Sequence, residues 1–137
     1  MSCLLDTNVI SEVRKPVQNA GVQQWFAGVR AEELFLSVMV AGEIRRGIER
    51  LRRRDPAQAS VYETWLGTLR RDYVDRILPV TAEIAEEWGR LNDVDPLPVI
   101  DGLLAATARV HGLILVTRNT DDFARTGVRL LNPFTST

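Results

Sequence analysis

The sequence predicts an α/β protein in which helices cover both faces of a parallel sheet. Short apolar runs of strand length alternate along the chain with longer segments whose apolar residues recur at helical spacing. The first apolar run passes directly into residues that favour a helix start, as expected where a strand feeds a crossover helix. Both observations favour parallel strands, because parallel neighbours must be joined by a crossover.

The N-terminal segment predicts one buried strand followed by two helices. Residues 2–5 lead to a carboxylate, Asp6, at the strand's end. A helix over about 7–14 should end before Pro16, since proline cannot continue a helix. A second helix is predicted over about 19–30, where apolar residues lie on one face.

The middle of the chain predicts a second strand and two longer helices. Residues 34–37 are apolar, and the helix after them has an inward stripe made of Val40, Ile44, Ile48 and Leu51. Asp55 and Pro56 then start the next helix, over about 56–74. Its inward side is predicted to consist of Val61, Trp65, Leu66 and Leu69.

The last part of the chain completes the alternation. Pro79 places its strand at the edge of the sheet or at a strand end, because proline cannot donate to the ladder. Gly112 ends the helix before the clearest buried strand. The predicted elements are a strand at 77–80, a helix at 81–91, a helix at 98–111, a strand at 113–116, a short helix ending near 123 and a strand at 129–131.

Composition bounds the protein class. The 137 residues suit one domain, and the net charge of −1 gives no overall basic field for nucleic acid. Of the 17 basic residues, all but Lys15 are arginine. The single cysteine, Cys3, excludes an intramolecular disulfide. No apolar run approaches a membrane span, so we expect a cytoplasmic protein without membrane contact.

Acidic side chains recur where a predicted strand ends and a helix begins. Asp6 ends the first strand, Glu43 lies in the first turns after the second, and Asp101 starts the helix that precedes the fourth. Residues 119–122 follow the fourth strand. Because these positions share one edge of a parallel sheet, we expect them to meet there. A single acid is explained by helix capping, whereas several acids along one edge of the sheet indicate a bound cation. If Asp6 is buried, its charge also needs a partner.

A rim of carboxylates without nearby histidine or cysteine suits Mg²⁺ or Mn²⁺. A divalent ion would relieve the repulsion between the acids, and it could polarise a phosphoryl oxygen and activate water. The dipole of its helix should keep Asp101 ionised. His111 lies at the far end of that helix and is predicted to be a surface residue, not a general base.

Other acid-rim enzymes lack a required part in this sequence. A haloacid-dehalogenase-type phosphatase needs a second aspartate where Asn8 stands, and a response-regulator receiver needs a lysine after a late strand. No glycine-rich phosphate loop is present.

Four motifs occur in the order LLDTNVISE at 4–12, VAGEIRRG at 40–47, IDGLLAATA at 100–108 and TRNTDDF at 117–123. In composition and order they resemble the motifs of the PIN-domain ribonucleases. More narrowly, they resemble the VapC and FitB toxins of bacterial toxin–antitoxin pairs. The likeness extends from residue 4 to about Pro133, and the chain is interpreted as one PIN domain over residues 1–137.

The resemblance implies a three-layer α/β/α fold around a central parallel sheet of five strands. It also implies a Mg²⁺- or Mn²⁺-dependent endoribonuclease that forms a homodimer and is inhibited by an antitoxin whose tail fills the active-site groove. Asp6, Glu43 and Asp101 correspond to the acidic triad, with catalytic and metal-binding roles. Many relatives have a fourth acid where this chain has Asn119, and the missing charge is left to Asp121 or Asp122.

Several further residues are assigned supporting or substrate-binding roles. The hydroxyls of Thr7 and Thr117 could orient a carboxylate or a metal-bound water, although capping explains Thr7 as well. Asn8 belongs to the same supporting group. Arg46 and Arg50 are the members of the Arg45–Arg54 cluster nearest to the Glu43 face, and they could bind RNA phosphates.

Two interpretations compete with these roles. The arginine cluster is also explained as a solvated helix face paired with Glu49, and Trp25, Trp65 and Trp88 fall on apolar stripes that favour core packing over base stacking. The leading functional hypothesis is a metal-dependent ribonuclease toxin. The alternative is a PIN-fold binding or regulatory protein that has little catalysis because its fourth acidic position is weakened.

Overall fold

Five short parallel strands form the centre of the protein, in a computed structural model that describes residues 1–134. The strands are β1 (Cys3–Leu5), β2 (Leu34–Ser37), β3 (Ile77–Leu78), β4 (Ile114–Val116) and β5 (Leu130–Leu131). Their spatial order is β3-β2-β1-β4-β5, so β1 is central and β3 is an edge strand. Cys3 of β1 is in register with Leu34 on one side and Ile114 on the other.

Seven α-helices flank the sheet within the described residues, and the predicted α/β/α fold class is confirmed. They are α1 (Thr7–Val13), α2 (Ala20–Ala27), α3 (Val38–Arg52), α4 (Pro56–Asp72), α5 (Ala82–Leu91), α6 (Val99–His111) and α7 (Thr120–Phe123). Two 3₁₀ turns occur at Ala31–Glu33 and Ala124–Thr126. Over residues 1–134, no helix combines the length and apolarity that a bilayer crossing requires.

The hydrophobic core forms where the central strands meet the helix faces. Leu4, Leu5 and Leu115 are fully buried, because β1 and β4 have strands on both sides and helices above and below. The stripe predicted for α3 is confirmed at Val40, Ile44 and Ile48. These apolar contacts fix the strand and helices that carry the acidic side chains.

The inward face of α4 differs from the prediction at one position. Val61 is 58% exposed, whereas Ala59 is fully buried with Leu66 and Leu69. Positions 59, 66 and 69 are seven and three residues apart and lie on one helical stripe, while 61 lies outside that stripe. The prediction included Val61 because valine is strongly apolar, and it was wrong at that position. Packing against α3 instead selects the stripe that includes the small Ala59.

Helix starts at the carboxyl edge of the sheet are fixed by side chains of the sequence. The Asp6 carboxylate caps α1, and the Ser37 hydroxyl accepts a hydrogen bond from the Met39 N–H at 3.0 Å to cap α3. At the other end of the molecule α6 ends at Gly112, whose φ of 66° suits glycine. The start of α3 at this edge places Glu43 in the second turn of that helix, and Asp101 lies in the first turn of α6.

Helices α5 and α6 approach each other closely at Gly102, the residue after Asp101. A Cβ atom at Gly102 would lie 2.9 Å from Asn92 Nδ2 and 3.0 Å from the Trp88 ring. The amide of Asn92 is itself held by hydrogen bonds with Trp88 O and Leu97 N. The indole N–H of Trp88 is buried without a hydrogen-bond partner among the described residues. This contact holds the first turn of α6 against α5.

We predict that Gly102→Ala destabilises the protein by about 1–3 kcal/mol, because a methyl group overfills this contact. The matched control is Gly89→Ala on α5, where a Cβ would meet no atom within 4 Å. That control should instead stabilise α5 by about 0.5–1 kcal/mol. Chemical denaturation followed by tryptophan fluorescence measures both changes. Equal stability of the two variants would contradict the close contact.

Candidate active site

Asp6 lies at the end of the central strand and is only 6% exposed. Its Oδ1 accepts a hydrogen bond from the Thr7 N–H at 2.7 Å, and its Oδ2 accepts one from the Thr117 hydroxyl at 2.8 Å. The amide of Asn8 donates to Oδ2 over a longer distance, 3.4 Å. Burial raises the pKa of Asp6, and the hydrogen bonds from Thr117 and Thr7 act in the opposite direction. The predicted partner for this carboxylate is therefore a set of neutral donors.

Thr117 connects the end of β4 to the end of β1. Its side chain is fully buried, and besides donating to Asp6 its hydroxyl accepts a hydrogen bond from the Asn119 N–H at 3.1 Å. The Arg118 N–H donates to Asn8 Oδ1 at 3.2 Å. The turn after β4 is thus tied to the turn after β1, and residues 111 positions apart form one unit.

Glu43 is joined to this unit through Thr7. The Thr7 hydroxyl donates to Glu43 Oε1 at 2.6 Å, while the Thr7 backbone N–H binds Asp6. Glu43 lies in the second turn of α3 and is half-buried. A single threonine therefore orients two of the predicted acids, in addition to starting α1.

Asp101 lies in the first turn of α6 and faces the other acids. Burial raises its pKa, and the negative charges of Asp6, Glu43 and Asp122 raise it further. Ionisation of Asp101, expected from its place in the first turn of the helix, is therefore opposed by burial and by the neighbouring acids. The same shift indicates that acids from four separate segments of the chain repel one another here.

Asn119 and Asp122 occupy the turn that follows β4. Both side chains are exposed, and the Asn119 side chain makes no capping hydrogen bond to α7, although its backbone C=O accepts from the Asp122 N–H at 3.1 Å. Of the two candidate acids in this turn, Asp122 is the one whose charge acts on Asp101; Asp121 is not among the causes of that shift.

The donor set fits a hard divalent cation. Among residues 1–134 no three acidic, histidine or cysteine side chains are grouped closely enough to hold an ion together. Mg²⁺ does not require such a cage, because it retains several waters and binds through one or two carboxylates plus substrate phosphate. The mutual repulsion at Asp101 and the all-oxygen donors of Asp6, Glu43, Thr7 and Thr117 match that mode of binding.

The arginines of α3 divide into two groups. Arg45 binds Glu49 at 3.2 Å and Glu63 at 2.9 Å, and Arg52 binds the same two glutamates. Hydrogen bonds from Arg45 and then Arg52 lower the pKa of Glu63 to about 2. The solvated, paired face expected as the alternative is therefore correct for Arg45 and Arg52.

Arg46 and Arg50 form the second group and have no salt bridge within residues 1–134. Together with Glu43 and Gly47 they line a cavity of about 320 Å³. A larger, open depression of about 770 Å³ continues from them along Arg52 and Arg53. The two unpaired arginines thus adjoin a predicted catalytic acid, as the sequence indicated.

His111 was predicted to be a surface residue, and it is exposed at the end of α6.

Comparison with known proteins agrees with this geometry. The model of the PIN domain family matches residues 3–129, which span all four acidic motifs. The chain belongs to the PIN domain family. The resemblance inferred from the motifs is confirmed.

Within the PIN domain family the chain is similar to one protein named a toxin and to another named a ribonuclease. It is 30% identical to Toxin FitB of Neisseria gonorrhoeae, over 96% of this chain and 97% of the relative. It is also 30% identical to VapC ribonuclease Y4jK of Sinorhizobium fredii, over 96% of each protein. The crystal structure of FitAcB from Neisseria gonorrhoeae superposes with a TM-score of 0.88 at 30% identity, covering 98% of this chain and 99% of that chain.

The raised pKa of Asp101 predicts a stability cost at neutral pH. A carboxyl whose folded pKa is raised binds protons more tightly in the native state, so stability falls as pH rises from the unfolded value of about 3.9 through the folded value. Asp101→Asn removes this cost, so the variant should melt at a higher temperature than wild type at pH 7, in EDTA. The gain should shrink as the pH is lowered to 4.5.

The matched control is Asp121→Asn, which changes an exposed acid in the neighbouring turn and should give no such gain. Thermal denaturation followed by circular dichroism across this pH range provides the measurement. A wild type that is at least as stable as Asp101→Asn at pH 7 would contradict repulsion among the acids.

Proposed function

We propose that this PIN domain is a Mg²⁺- or Mn²⁺-dependent endoribonuclease and the toxin of a type II, VapBC-like toxin–antitoxin system. The observation that carries the proposal is that acids from separate segments meet at one edge of the sheet: Thr7 hydrogen-bonds both Asp6 and Glu43, and the charges of Asp6, Glu43 and Asp122 act on Asp101. A cluster of mutually repelling carboxylates lowers stability without a cation, so its presence favours a catalytic role. The similarity to proteins named Toxin FitB and VapC ribonuclease supports the reaction class.

Asp6, Glu43 and Asp101 would surround the ion, one or two of them as direct ligands and the rest through retained waters, with Asp122 and the amide oxygen of Asn119 available as further ligands. When bound, the ion supplies positive charge at the phosphate and favours ionisation of water. A second ion would bind at the exposed turn that contains Asn119 and Asp122. An amide there contributes no charge, so we expect a second ion to bind weakly unless Asp122 ligates it.

The reaction is hydrolysis of a phosphodiester: a water oxygen bonds to phosphorus, one ester P–O bond breaks, and the departing oxygen is protonated. The residues of this chain prepare that step by holding the acids in fixed orientations. Thr117 and Thr7 fix the two Asp6 oxygens, and Thr7 also fixes Glu43 Oε1. Asn8 holds the Arg118 N–H and thereby the turn that carries Asp122.

The proposed partners are an RNA substrate, a cognate antitoxin protein and a second copy of this chain in a homodimer. Solved relatives support the antitoxin. The FitAB structure bound to a DNA fragment superposes with a TM-score of 0.88 at 28% identity, and a toxin–antitoxin complex from Klebsiella pneumoniae superposes with 0.70 at 25%. The alternative, a PIN-fold binding or regulatory protein with little catalysis, is favoured by Asn119 at the fourth position.

We predict that Asp6→Ala and Asp101→Asn each reduce Mg²⁺-dependent RNA cleavage by at least about 100-fold, because each removes a carboxylate of the proposed ion site. The control, Asp121→Asn, should cleave like wild type. Cleavage of a fluorescent oligoribonucleotide, with and without EDTA, measures the effect, and circular dichroism verifies folding.

Undiminished cleavage in excess EDTA, or by a folded double variant, would overturn the assignment of the acids. A wild type that binds RNA without cutting it would instead support the binding-protein alternative. Expression in cells tests the toxin role separately: wild type should arrest growth, and Asp6→Ala should not. Harmless expression of an active wild type would indicate RNA processing without toxicity.

The division of the arginines predicts different salt dependences for two double variants. Arg46→Ala/Arg50→Ala should weaken RNA binding and lower the slope of log K against log salt by about 0.7 for each lost contact to a single strand. Arg45→Ala/Arg52→Ala removes the same number of charges from residues that are already paired with Glu49 and Glu63. It should leave the slope nearly unchanged. Equal slopes for both variants would indicate that the whole arginine cluster is a solvated helix face that does not contact RNA.

A further inference from the structure

A second cavity adjoins the acidic cluster on the other side of α3. It has a volume of about 250 Å³ and is lined mainly by the apolar side chains Ile44, Ile48 and Leu51 of α3 and by Tyr62 and Trp65 of α4. Thr7, Ser11 and Glu43 also line this groove, so it reaches one of the proposed acids. Sites for drug-sized molecules occupy about 300–1,000 Å³, so this groove suits a single planar ring system.

Gly47 lines both the apolar groove and the cavity of Arg46 and Arg50. It lies one helical turn after Glu43, in the interior of α3, where glycine lowers helix stability relative to alanine. Unlike Gly102, its position is not required by packing, because a Cβ atom there would meet nothing within 4 Å. Packing leaves Gly42 and Gly89 equally unrestricted, but of these three helix-interior glycines only Gly47 lines the two cavities.

We propose that the RNA strand crosses α3 over Gly47, with one nucleobase in the apolar groove against Trp65 and Tyr62 and the adjoining phosphates on Arg46 and Arg50. The proposal rests on the ribonuclease function and identifies a nucleotide subsite beside the scissile bond. Because Gly47 has no side chain, a sugar or base can approach the α3 backbone closely there. The strand would then reach Glu43, one helical turn before Gly47.

Charge and chemistry favour RNA as the occupant. The groove is apolar and aromatic, as base stacking requires, and arginines without acidic partners lie directly across Gly47 from it. The aromatic wall has a contact with a cation, since the Arg14 guanidinium lies 4.2 Å from the Tyr62 ring centroid and 5.6 Å from that of Trp65. Trp65 was predicted to pack in the core; it does pack against the core, but it is half-buried and also lines this groove.

The first experiment compares Gly47→Ala with Gly42→Ala in the Asp101→Asn background, in which we expect cleavage to be too slow to affect a binding measurement. Gly42 is a matched control, since it lies on the same helix, its Cβ would also meet nothing within 4 Å, and it lines neither cavity. Both changes should raise the melting temperature through helix propensity. Only Gly47→Ala should weaken binding of a single-stranded oligoribonucleotide that contains a site cut by wild type, by about tenfold or more.

The second experiment locates the base. One abasic residue is moved stepwise along the same oligoribonucleotide, and binding is measured by fluorescence anisotropy to Asp101→Asn and to Asp101→Asn/Trp65→Leu. We expect one position next to the scissile phosphate at which loss of the base weakens binding to the first protein but not to the second. Stacking contributes about 1–3 kcal/mol per base, so the expected loss at that position is about five- to 150-fold.

The outcomes separate the subsite from the ribonuclease assignment. If wild type neither cuts nor binds RNA, the proposed function fails and the subsite fails with it. If wild type cuts RNA but Gly47→Ala binds it as tightly as Gly42→Ala, and no abasic position depends on Trp65, the subsite is overturned while the ribonuclease stands. If Gly47→Ala leaves RNA binding intact but weakens binding of a purified antitoxin, the groove is a protein-docking site and the proposal is also overturned.

Discussion

The burial of one carboxylate, Asp6, at the end of the central strand is the constraint on which the site depends. A buried charge must be compensated, and here neutral donors provide the compensation: the Thr117 hydroxyl at 2.8 Å and the Thr7 N–H at 2.7 Å. Each donor belongs to a different loop. Satisfying Asp6 therefore fixes the turn after β4 and the start of α1 relative to each other, and Thr7 extends the same network to Glu43.

The acidic side chains of the site are ordered although they repel one another. Hydrogen bonds fix Asp6 and Glu43, but burial and like charges raise the pKa of Asp101, so the acids are brought together against their repulsion. The apolar core allows this, because the strands and helices that carry the acids are fixed elsewhere by contacts such as Leu4, Leu115 and Ile48. A divalent ion would be attracted by these acids and would relieve their repulsion, so a site that lowers the stability of the empty protein can serve its function.

Helix α3 combines three functions on separate faces. Its apolar stripe packs into the core and lines the groove, Arg45 and Arg52 pair with Glu63 of α4, and Arg46 and Arg50 remain unpaired beside Glu43. These faces differ only by helical phase. From the sequence alone Glu49 was the expected partner of the arginine run, since it lies within the same helix. Glu63 could not be assigned, because it is eleven or more residues away along the chain.

The sequence by itself determined the fold class, the strand and helix order and the edge at which the acids gather, since these follow from local periodicity and from the shared direction of parallel strands. It did not determine that Val61 is exposed while Ala59 is buried, that burial and neighbouring acids raise the pKa of Asp101, or that Asp122 is the acid of its turn that acts on Asp101. Only the tertiary structure decided these points. The physical reason is that desolvation, Coulomb repulsion and helix–helix packing depend on distances between segments far apart in the chain, and no local pattern records those distances.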